Sequence, residues 1–343
     1  MNVAQNGGFG VKLSPGKRKR LEAVSDPRGI IGALAIDQRD ALRSLLSAEL
    51  KIEKTSVRRE QLEEFKSIVV RALSPYATAV LLEPEYGLQA ASQRSSSSGL
   101  LMAYEVSGYD SKLPGRLPVL LARWSVRRLV DAGAHAIKVL LYYALSDSPE
   151  TLEHKRVWVE RVGSECAGCD VPFFLEIVPY QDDVGEMSPQ FARSKPTILS
   201  SAMQEFSQLR YSVDVLKVGV PVTMTYVEGS SACSGTFVHT RREALQLFRS
   251  TAAAATKPFL YLSAGVSNRA FNEALELASE AGVRFCGALC GRATWKDGVG
   301  VYARGGANAL QEWLETQGVQ NMQSINESLQ AATPWSENYP ADE

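Results

Sequence analysis

The sequence has no long hydrophobic run and almost no net charge. No stretch approaches the roughly 18 consecutive apolar residues that a membrane-spanning helix requires. Its 37 Lys and Arg residues face 38 Asp and Glu residues, so the formal net charge is −1. A protein whose main partner is a phosphate backbone normally carries a clear positive excess. We therefore expect neither a membrane partner nor a nucleic-acid partner.

Signals for export and for a metal site are also missing. A basic run, Lys17-Arg-Lys-Arg20, follows a glycine-rich start without a hydrophobic region behind it, so we expect no secretory signal. We interpret this run as the charged first turn of a solvated helix. Cys166 and Cys169 have the spacing of a metal-ligand pair, but no second pair or histidine cluster completes a zinc site. The five cysteines predict reduced thiols and a cytoplasmic location.

What the sequence does contain is a regular alternation of two patterns. Apolar runs rich in β-branched residues predict eight strands, at residues 29–36, 77–83, 99–104, 136–142, 171–178, 213–220, 258–263 and 283–289. Amphipathic segments between them predict helices, for example at residues 124–134, 148–165, 188–209, 240–255 and 268–281. Near-continuous apolar strands that alternate with helices indicate a parallel sheet covered on both faces.

Eight such strands predict an α/β fold in the form of a single (β/α)₈ TIM barrel. We assign the barrel to residues 17–330, with an N-terminal extension at 1–16 and a C-terminal tail at 331–343 that we expect to fray. An open doubly wound sheet is the alternative. It lacks support because no Gly-x-Gly-x-x-Gly motif follows the first predicted strand.

Four charged residues occupy positions where a barrel strand should be apolar. Lys217, Lys138 and Glu176 lie inside predicted strands, and Asp37 ends the first one. An unpaired buried charge costs on the order of several kcal/mol, so such residues are paired or functional. Interior salt bridges would explain each residue singly. Two lysines and two acids on four strands together favour a shared active site.

Strand periodicity predicts which way these side chains point. If Lys217 faces the barrel interior, Val215 and Gly219 face inward as well, whereas Leu216 and Val218 face the helices. This assignment places apolar side chains where the helices need them. We assume the same inward direction for the other three charged residues.

Two lysines beside two acids suggest a specific chemistry. A lysine confined next to another cation has its ammonium form disfavoured, so a neutral amine becomes available to attack a ketone. The resulting iminium ion accepts electrons when a carbon–carbon bond breaks. Glu176 would move protons during dehydration and at the substrate hydroxyl, and Asp37 would hold a lysine or a sugar hydroxyl. The set predicts a Schiff-base aldolase, but spacing alone does not say which lysine is the nucleophile.

The last two predicted strands end in loops suited to phosphate. Loops after strands seven and eight of this fold recurrently bind phosphate through glycine N–H groups and a helix N-terminus. The candidates here are Ser263, Gly265, Gly291 and Arg292, the last supplying a forked positive charge. Each of these residues is common in a loop and is a weak signal alone. The informative feature is the occurrence of both loops in this order.

Eight motifs match a known family over about residues 17–318. They lie at residues 33–39, 83–88, 101–110, 138–143, 173–176, 214–217, 262–267 and 289–295. Among them are Ala-Leu-Ala-Ile-Asp-Gln-Arg, Asp-Val-Leu-Lys and Leu-Cys-Gly-Arg-Ala-Thr-Trp. On these motifs the chain resembles the class I, metal-independent tagatose 1,6-bisphosphate aldolases. The resemblance implies cleavage of a ketohexose bisphosphate to dihydroxyacetone phosphate and glyceraldehyde 3-phosphate, with little discrimination of hydroxyl stereochemistry.

The same resemblance assigns roles to individual residues. It implies that Lys217 forms the Schiff base, that Glu176 is the acid/base, that Lys138 and Asp37 are its polar neighbours, and that Gln38 reaches the substrate. It implies phosphate binding by Ser263, Leu289, Gly291 and Arg292. We expect neither a cofactor nor a metal, because the covalent intermediate is a Schiff base on a lysine. The expected partner is a phosphorylated ketose. We also expect a homo-oligomer.

Two departures from the family pattern concern the site wall. Gly219 stands where the family usually has Glu, and residues 144–147 read Ala-Leu-Ser-Asp instead of containing Asp-Val-Asp. Three alternatives follow. One is an aldolase for a related substrate such as 6-deoxy-6-sulfofructose 1-phosphate, another a sugar-phosphate-binding regulator without turnover. The third, a metal-dependent aldolase, lacks a ligand set.

Overall fold

The computed structural model describes residues 12–110 and 112–339. Within them, eight strands alternate with helices. The strands are β1 (Ile31–Ala35), β2 (Ala79–Leu82), β3 (Gly99–Ala103), β4 (Ala136–Tyr143), β5 (Phe173–Pro179), β6 (Val215–Gly219), β7 (Phe259–Leu262) and β8 (Gly287–Cys290). The helices are α1 (Pro15–Glu22), α2 (Asp40–Leu50), α3 (Arg59–Leu73), α4 (Leu88–Ser92), α5 (Val126–Asp131), α6 (Pro149–Gly168), α7 (Pro189–Phe206), α8 (Arg241–Ala252), α9 (Asn268–Glu280), α10 (Arg292–Trp295), α11 (Gly298–Trp313) and α12 (Val319–Ser328).

The strands close into one parallel barrel in sequence order, β1 to β8, with β8 paired back to β1. This confirms the predicted TIM barrel. The last strand is the one whose start differs most, because it begins at Gly287 instead of residue 283. The Val283 amide donates to the Ala278 carbonyl at the end of α9, so the chain leaves the helix before it reaches the sheet.

The two faces of the strands divide as period-two alternation predicts. Val215 belongs to the cluster that fills the barrel interior, whereas Leu216 and Val218 belong to the larger core between the strands and the helices. The predicted inward direction of Gly219 is not confirmed, because the nearest neighbour of a Cβ at this position is Lys195 of α7. Above the apolar layer the interior positions of β4, β5 and β6 become charged, and this change places the site at the carboxyl ends of the strands.

The amino ends of the strands are closed by both ends of the described chain. Helix α1 is present where the basic run predicts a helix, but Lys17 is buried, with its Nζ 2.6 Å from Asp214 Oδ2, so the expectation of full solvation is wrong. The predicted frayed tail is likewise ordered through Tyr339, because Trp335 and Tyr339 are buried against the barrel. The Tyr339 hydroxyl donates to the Asp214 carbonyl at 2.6 Å. The N-terminal extension lies outside the described residues up to residue 11.

None of the helices in the described ranges combines the length and the apolar character that crossing a bilayer demands.

Candidate active site

Four charged side chains from four strands meet inside the upper end of the barrel. Lys217 Nζ lies 2.8 Å from Glu176 Oε2, and Lys138 Nζ lies 2.7 Å from the same oxygen and 3.0 Å from Asp37 Oδ2. The register explains the first contact, because Glu176 and Lys217 are direct partners across β5 and β6. The predicted inward direction of all four side chains agrees with this arrangement.

Asp37 is held in place by a second buried lysine from the helix layer. Lys66 on α3 donates to the carbonyl oxygens of Ile36 and Gln38 at 2.6 and 3.0 Å, on either side of Asp37. Its charge is balanced by Glu83, whose Oε1 lies 2.7 Å away. The backbone at the end of β1 is therefore fixed, and with it the direction of the Asp37 carboxylate.

Lys138 is the centre of the charged group. In addition to Asp37 and Glu176, it contacts Glu105 Oε1 at 2.7 Å, so three carboxyl groups surround one ammonium group. Burial opposes the charged form of Lys138, but these carboxylates outweigh it and raise its pKa well above the ordinary value. Lys138 therefore stays an ammonium ion at neutral pH.

The pKa values of the three carboxyl groups around Lys138 do not all shift in the same direction. Burial raises the pKa of Asp37, but the ammonium groups of Lys138 and Lys217 outweigh it and lower that pKa below its usual range. Glu176 behaves alike, because the two lysines overcome burial and lower its pKa. Burial dominates at Glu105 and raises its pKa, although Lys138 and Arg39 act against it. Asp37 and Glu176 are thus carboxylates at neutral pH.

Glu105 is a site residue that was not predicted from the sequence, although it lies in the family motif at residues 101–110. The available signal was strand parity. Leu101 and Ala103 of β3 both belong to the interior cluster, so a residue two positions further on continues the inward series. Arg39 was also missed. Its guanidinium donates to the Glu105 carbonyl oxygen at 2.7 Å and pairs with Glu85 at 2.6 Å.

A cavity of about 230 Å³ opens above these charges. Its lining includes all four charged residues predicted for the site, together with Gln38, Glu105 and Arg292. The Gln38 Nε2 donates to Asp37 Oδ1 at 3.2 Å, and its buried Oε1 has no hydrogen-bond partner among the described residues. A substrate hydroxyl could therefore bond to Gln38 without displacing a protein group.

The loops after β7 and β8 meet beside this cavity. The Gly291 amide donates to Ser263 Oγ at 3.5 Å. Gly265 has a φ of +81° and lies so close to the Arg292 guanidinium that an added Cβ would be 2.7 Å from Cζ. Four predicted phosphate-binding residues are thus adjacent. The fifth predicted residue, Leu289, is buried inside the barrel and is not part of the described cavity lining, so its role in phosphate binding stays a prediction.

A second cavity, of about 450 Å³, lies beside Gly219. Among the described residues that line it, Lys195 of α7 is the one cation, and its Nζ donates to the Val222 carbonyl at 3.3 Å. A Cβ on Gly219 would lie 4.0 Å from that Nζ, with no closer neighbour. Burial lowers the pKa of Lys195 to about 8, and Glu186 opposes this shift. The loop residues Ser263 and Gly265 line this cavity as well.

The sequence is similar to known aldolases over almost its whole length. Tagatose 1,6-diphosphate aldolase 2 of Enterococcus faecalis is 48% identical over 325 residues, which cover 94% of this chain and 96% of that protein. The protein of the same name from Streptococcus mutans is 46% identical and covers 95% of this chain and 98% of its own.

A solved structure supports the fold. The fructose-bisphosphate aldolase of Plasmodium falciparum, in a complex with TRAP and an inhibitor, superposes with a TM-score of 0.66. The match covers 97% of this chain and 98% of that one, at 14% sequence identity, so it shows the barrel alone. The family model described as DeoC/LacD family aldolase matches residues 31–297, a range that contains every strand and all the charged residues of the site. The chain belongs to the DeoC/LacD family of aldolases.

Proposed function

We propose that this protein is a metal-independent Schiff-base aldolase that cleaves D-tagatose 1,6-bisphosphate to dihydroxyacetone phosphate and D-glyceraldehyde 3-phosphate. The names of the relatives that match at 45–48% identity support this substrate. The paired loops that carry Ser263, Gly265, Gly291 and Arg292 support the recognition of a phosphorylated ketose. A cytoplasmic location and a homo-oligomer stay predictions.

The unequal surroundings of the two lysines support Lys217 as the nucleophile. Lys138 contacts three carboxyl groups and remains protonated, so it has no lone pair to offer. Lys217 contacts one carboxylate, Glu176, which is also a contact of Lys138. When Lys217 loses a proton, its neutral amine faces the cavity, and the Glu176 carboxylate is still paired with the Lys138 ammonium group. This difference is the observation on which the proposed role of Lys217 rests.

The proposed reaction follows from this arrangement. The Lys217 amine adds to the C2 carbonyl, and loss of water, with a proton supplied through Glu176, gives the iminium ion. Glu176 then accepts the proton of the C4 hydroxyl as the C3–C4 bond breaks, and the electron pair moves into the iminium as an enamine. The aldehyde half leaves. Protonation of C3 and hydrolysis of the imine release dihydroxyacetone phosphate and restore Lys217.

The position of Lys138 supports a mechanism without a metal ion. Asp37, Glu105 and Glu176 would suit a divalent cation, but the Lys138 ammonium lies within 3.0 Å of all three. Lys138 thus supplies the positive charge that a metal would otherwise bring to these carboxylates.

A coupled dehydrogenase assay tests the proposed reaction. The protein should cleave tagatose 1,6-bisphosphate at the same rate with and without a chelator, and Lys217→Ala should abolish cleavage. A panel with fructose 1,6-bisphosphate and 6-deoxy-6-sulfofructose 1-phosphate compares the substrates. Binding of the bisphosphate without cleavage by the wild-type protein would instead identify a regulator, and cleavage lost with the chelator would exclude the metal-independent reaction.

A further inference from the structure

One oxygen of the Glu105 carboxyl group is buried without a hydrogen-bond partner. Glu105 Oε1 contacts Lys138 Nζ at 2.7 Å and lies 3.9 Å from Arg39 Nη2. Oε2 has no partner among the described residues, although the side chain is 7% exposed and lines the cavity above Lys138. Buried carboxyl oxygens are normally hydrogen-bonded, because leaving one unpaired forfeits its interaction with water. The unpaired oxygen therefore points to a ligand group that supplies the missing bond.

The position of Glu105 in the barrel indicates which part of a ketose would reach it. In the proposed reaction C2 is bound to Lys217 on β6, and we place the adjacent C1 phosphate at the loops after β7 and β8. The remaining carbons must then extend across the barrel, toward β1 to β3. Glu105 follows β3, and its Oε1 shares the Lys138 ammonium with Asp37, which follows β1. The aldehyde half of the substrate would thus pass over Glu105.

The chemistry of the surroundings selects a hydroxyl group as the partner. Two cations, Lys138 and Arg39, already lie beside Glu105. A third positive charge, on the ligand, would have no counterion there. An apolar group would leave Oε2 unpaired. A hydroxyl can donate to a carboxylate oxygen or accept from a carboxylic acid, so it satisfies Oε2 in both protonation states. Burial raises the pKa of Glu105, although Lys138 and Arg39 oppose this shift.

We propose that Glu105 is a substrate-binding residue whose Oε2 bonds to a hydroxyl on the aldehyde half of the ketose phosphate. The inference rests on the proposed aldolase reaction and adds a contact that neither the sequence motifs nor the relatives' names assign. Dihydroxyacetone phosphate does not carry this half. Its covalent capture by Lys217 should therefore be independent of Glu105.

Two measurements on the same variants test this separation. Glu105→Ala should lower kcat/KM for cleavage of tagatose 1,6-bisphosphate by about 10- to 100-fold, the usual effect of losing a hydrogen bond to a charged group. Glu105→Gln should recover part of the loss, because its side chain also bonds to a hydroxyl. In both variants, borohydride should trap dihydroxyacetone phosphate on Lys217 as in the wild type. Glu85→Gln serves as the control, because Glu85 contacts Arg39 but does not line the described cavity.

Three outcomes have distinct meanings. Wild-type kcat/KM in Glu105→Ala would overturn the proposal. Parallel losses of cleavage and trapping in both Glu105 variants would overturn it too, because they would show that Glu105 acts through Lys138 and not on the substrate. If the wild-type protein itself forms no trapped adduct, the proposed aldolase reaction fails, and that result does not depend on Glu105.

Discussion

Replacing Lys138 by Met should destabilise the protein in a way that depends on pH. Lys138 is 1% exposed, and its ammonium group lies 2.7 to 3.0 Å from Asp37, Glu105 and Glu176. Removing one partner of a buried ion pair costs about 3–5 kcal/mol, so we expect a loss of that size in the free energy of unfolding at neutral pH. Many domains are stable by ~5–15 kcal/mol, so the variant should still fold.

The direction of the pH dependence follows from the carboxyl groups. In the wild type the lysines lower the pKa of Asp37 and Glu176, so these groups contribute stability that is present above about pH 4 and is lost as the pH falls. Without Lys138, burial is less opposed and should raise the pKa of the three carboxyls. Their destabilising effect then grows as the pH rises above about 4, by up to ~1.4 kcal/mol per carboxyl for each unit of pKa shift.

Urea unfolding followed by circular dichroism measures this difference. The gap in unfolding free energy between wild type and Lys138→Met should be larger at about pH 7.5 than at about pH 5. Lys66→Met is the matched control, because Lys66 is equally buried but pairs with a single carboxylate, Glu83. Its gap should depend less on pH. An equal gap for Lys138→Met at both pH values would refute the electrostatic account of this cluster.

Further predictions concern the loops and the second cavity. Arg292→Ala should raise KM for the bisphosphate by about 10- to 100-fold with a smaller effect on kcat, and unchanged kinetics would show that phosphate binds elsewhere. Gly265→Ala should act in the same direction, because its Cβ would lie 2.7 Å from Arg292 Cζ and must displace the guanidinium; an unchanged KM would argue against that contact. Gly219→Glu should bring a carboxylate beside Lys195 and raise its pKa from about 8, as measured by NMR titration of the labelled lysine, whereas an unshifted titration would mean that the carboxylate does not reach it.

The barrel and the four charged residues could be predicted because both depend on strand periodicity. Apolar runs of strand length fixed the number of strands, and parity along β6 placed Lys217 inward with Val215. Neighbouring parallel strands end at the same edge, so inward charges near their carboxyl ends must approach each other. The contact between Glu176 and Lys217 is such a case, since the two residues pair directly.

Other contacts depend on how helices pack on the barrel, which strand parity does not specify. Lys66 reaches the end of β1 from α3, and Lys195 reaches the Gly219 cavity from α7. Both lysines look like ordinary surface residues in an amphipathic helix. The burial of Tyr339 is similar, because a short polar segment with two prolines predicts fraying until its partner surface is known. Strand parity could have predicted the inward direction of Glu105, but Glu105 lies two residues beyond the end of β3.

The Gly219 cavity also bears on the departure from the family pattern that the sequence predicts at this position. A glutamate at position 219 could place its carboxylate beside Lys195, but glycine supplies none. The Lys195 ammonium group donates to the Val222 carbonyl oxygen. We expect the proposed nucleophile to be unaffected, because Lys217 lies two residues earlier on β6 and contacts Glu176. We therefore expect glycine at this position to change the charge beside the proposed phosphate-binding loops and not the bond-breaking step.

Trapping of the covalent intermediate tests directly whether Lys217 forms the Schiff base. The folded protein is incubated with dihydroxyacetone phosphate, reduced with borohydride, digested and analysed by mass spectrometry. We expect an irreversible mass increase on the peptide that carries Lys217, in the presence and in the absence of a chelator, and none in Lys217→Ala. An adduct on Lys138, or no adduct in folded wild-type protein, would contradict the assignment of Lys217 as the Schiff-base lysine.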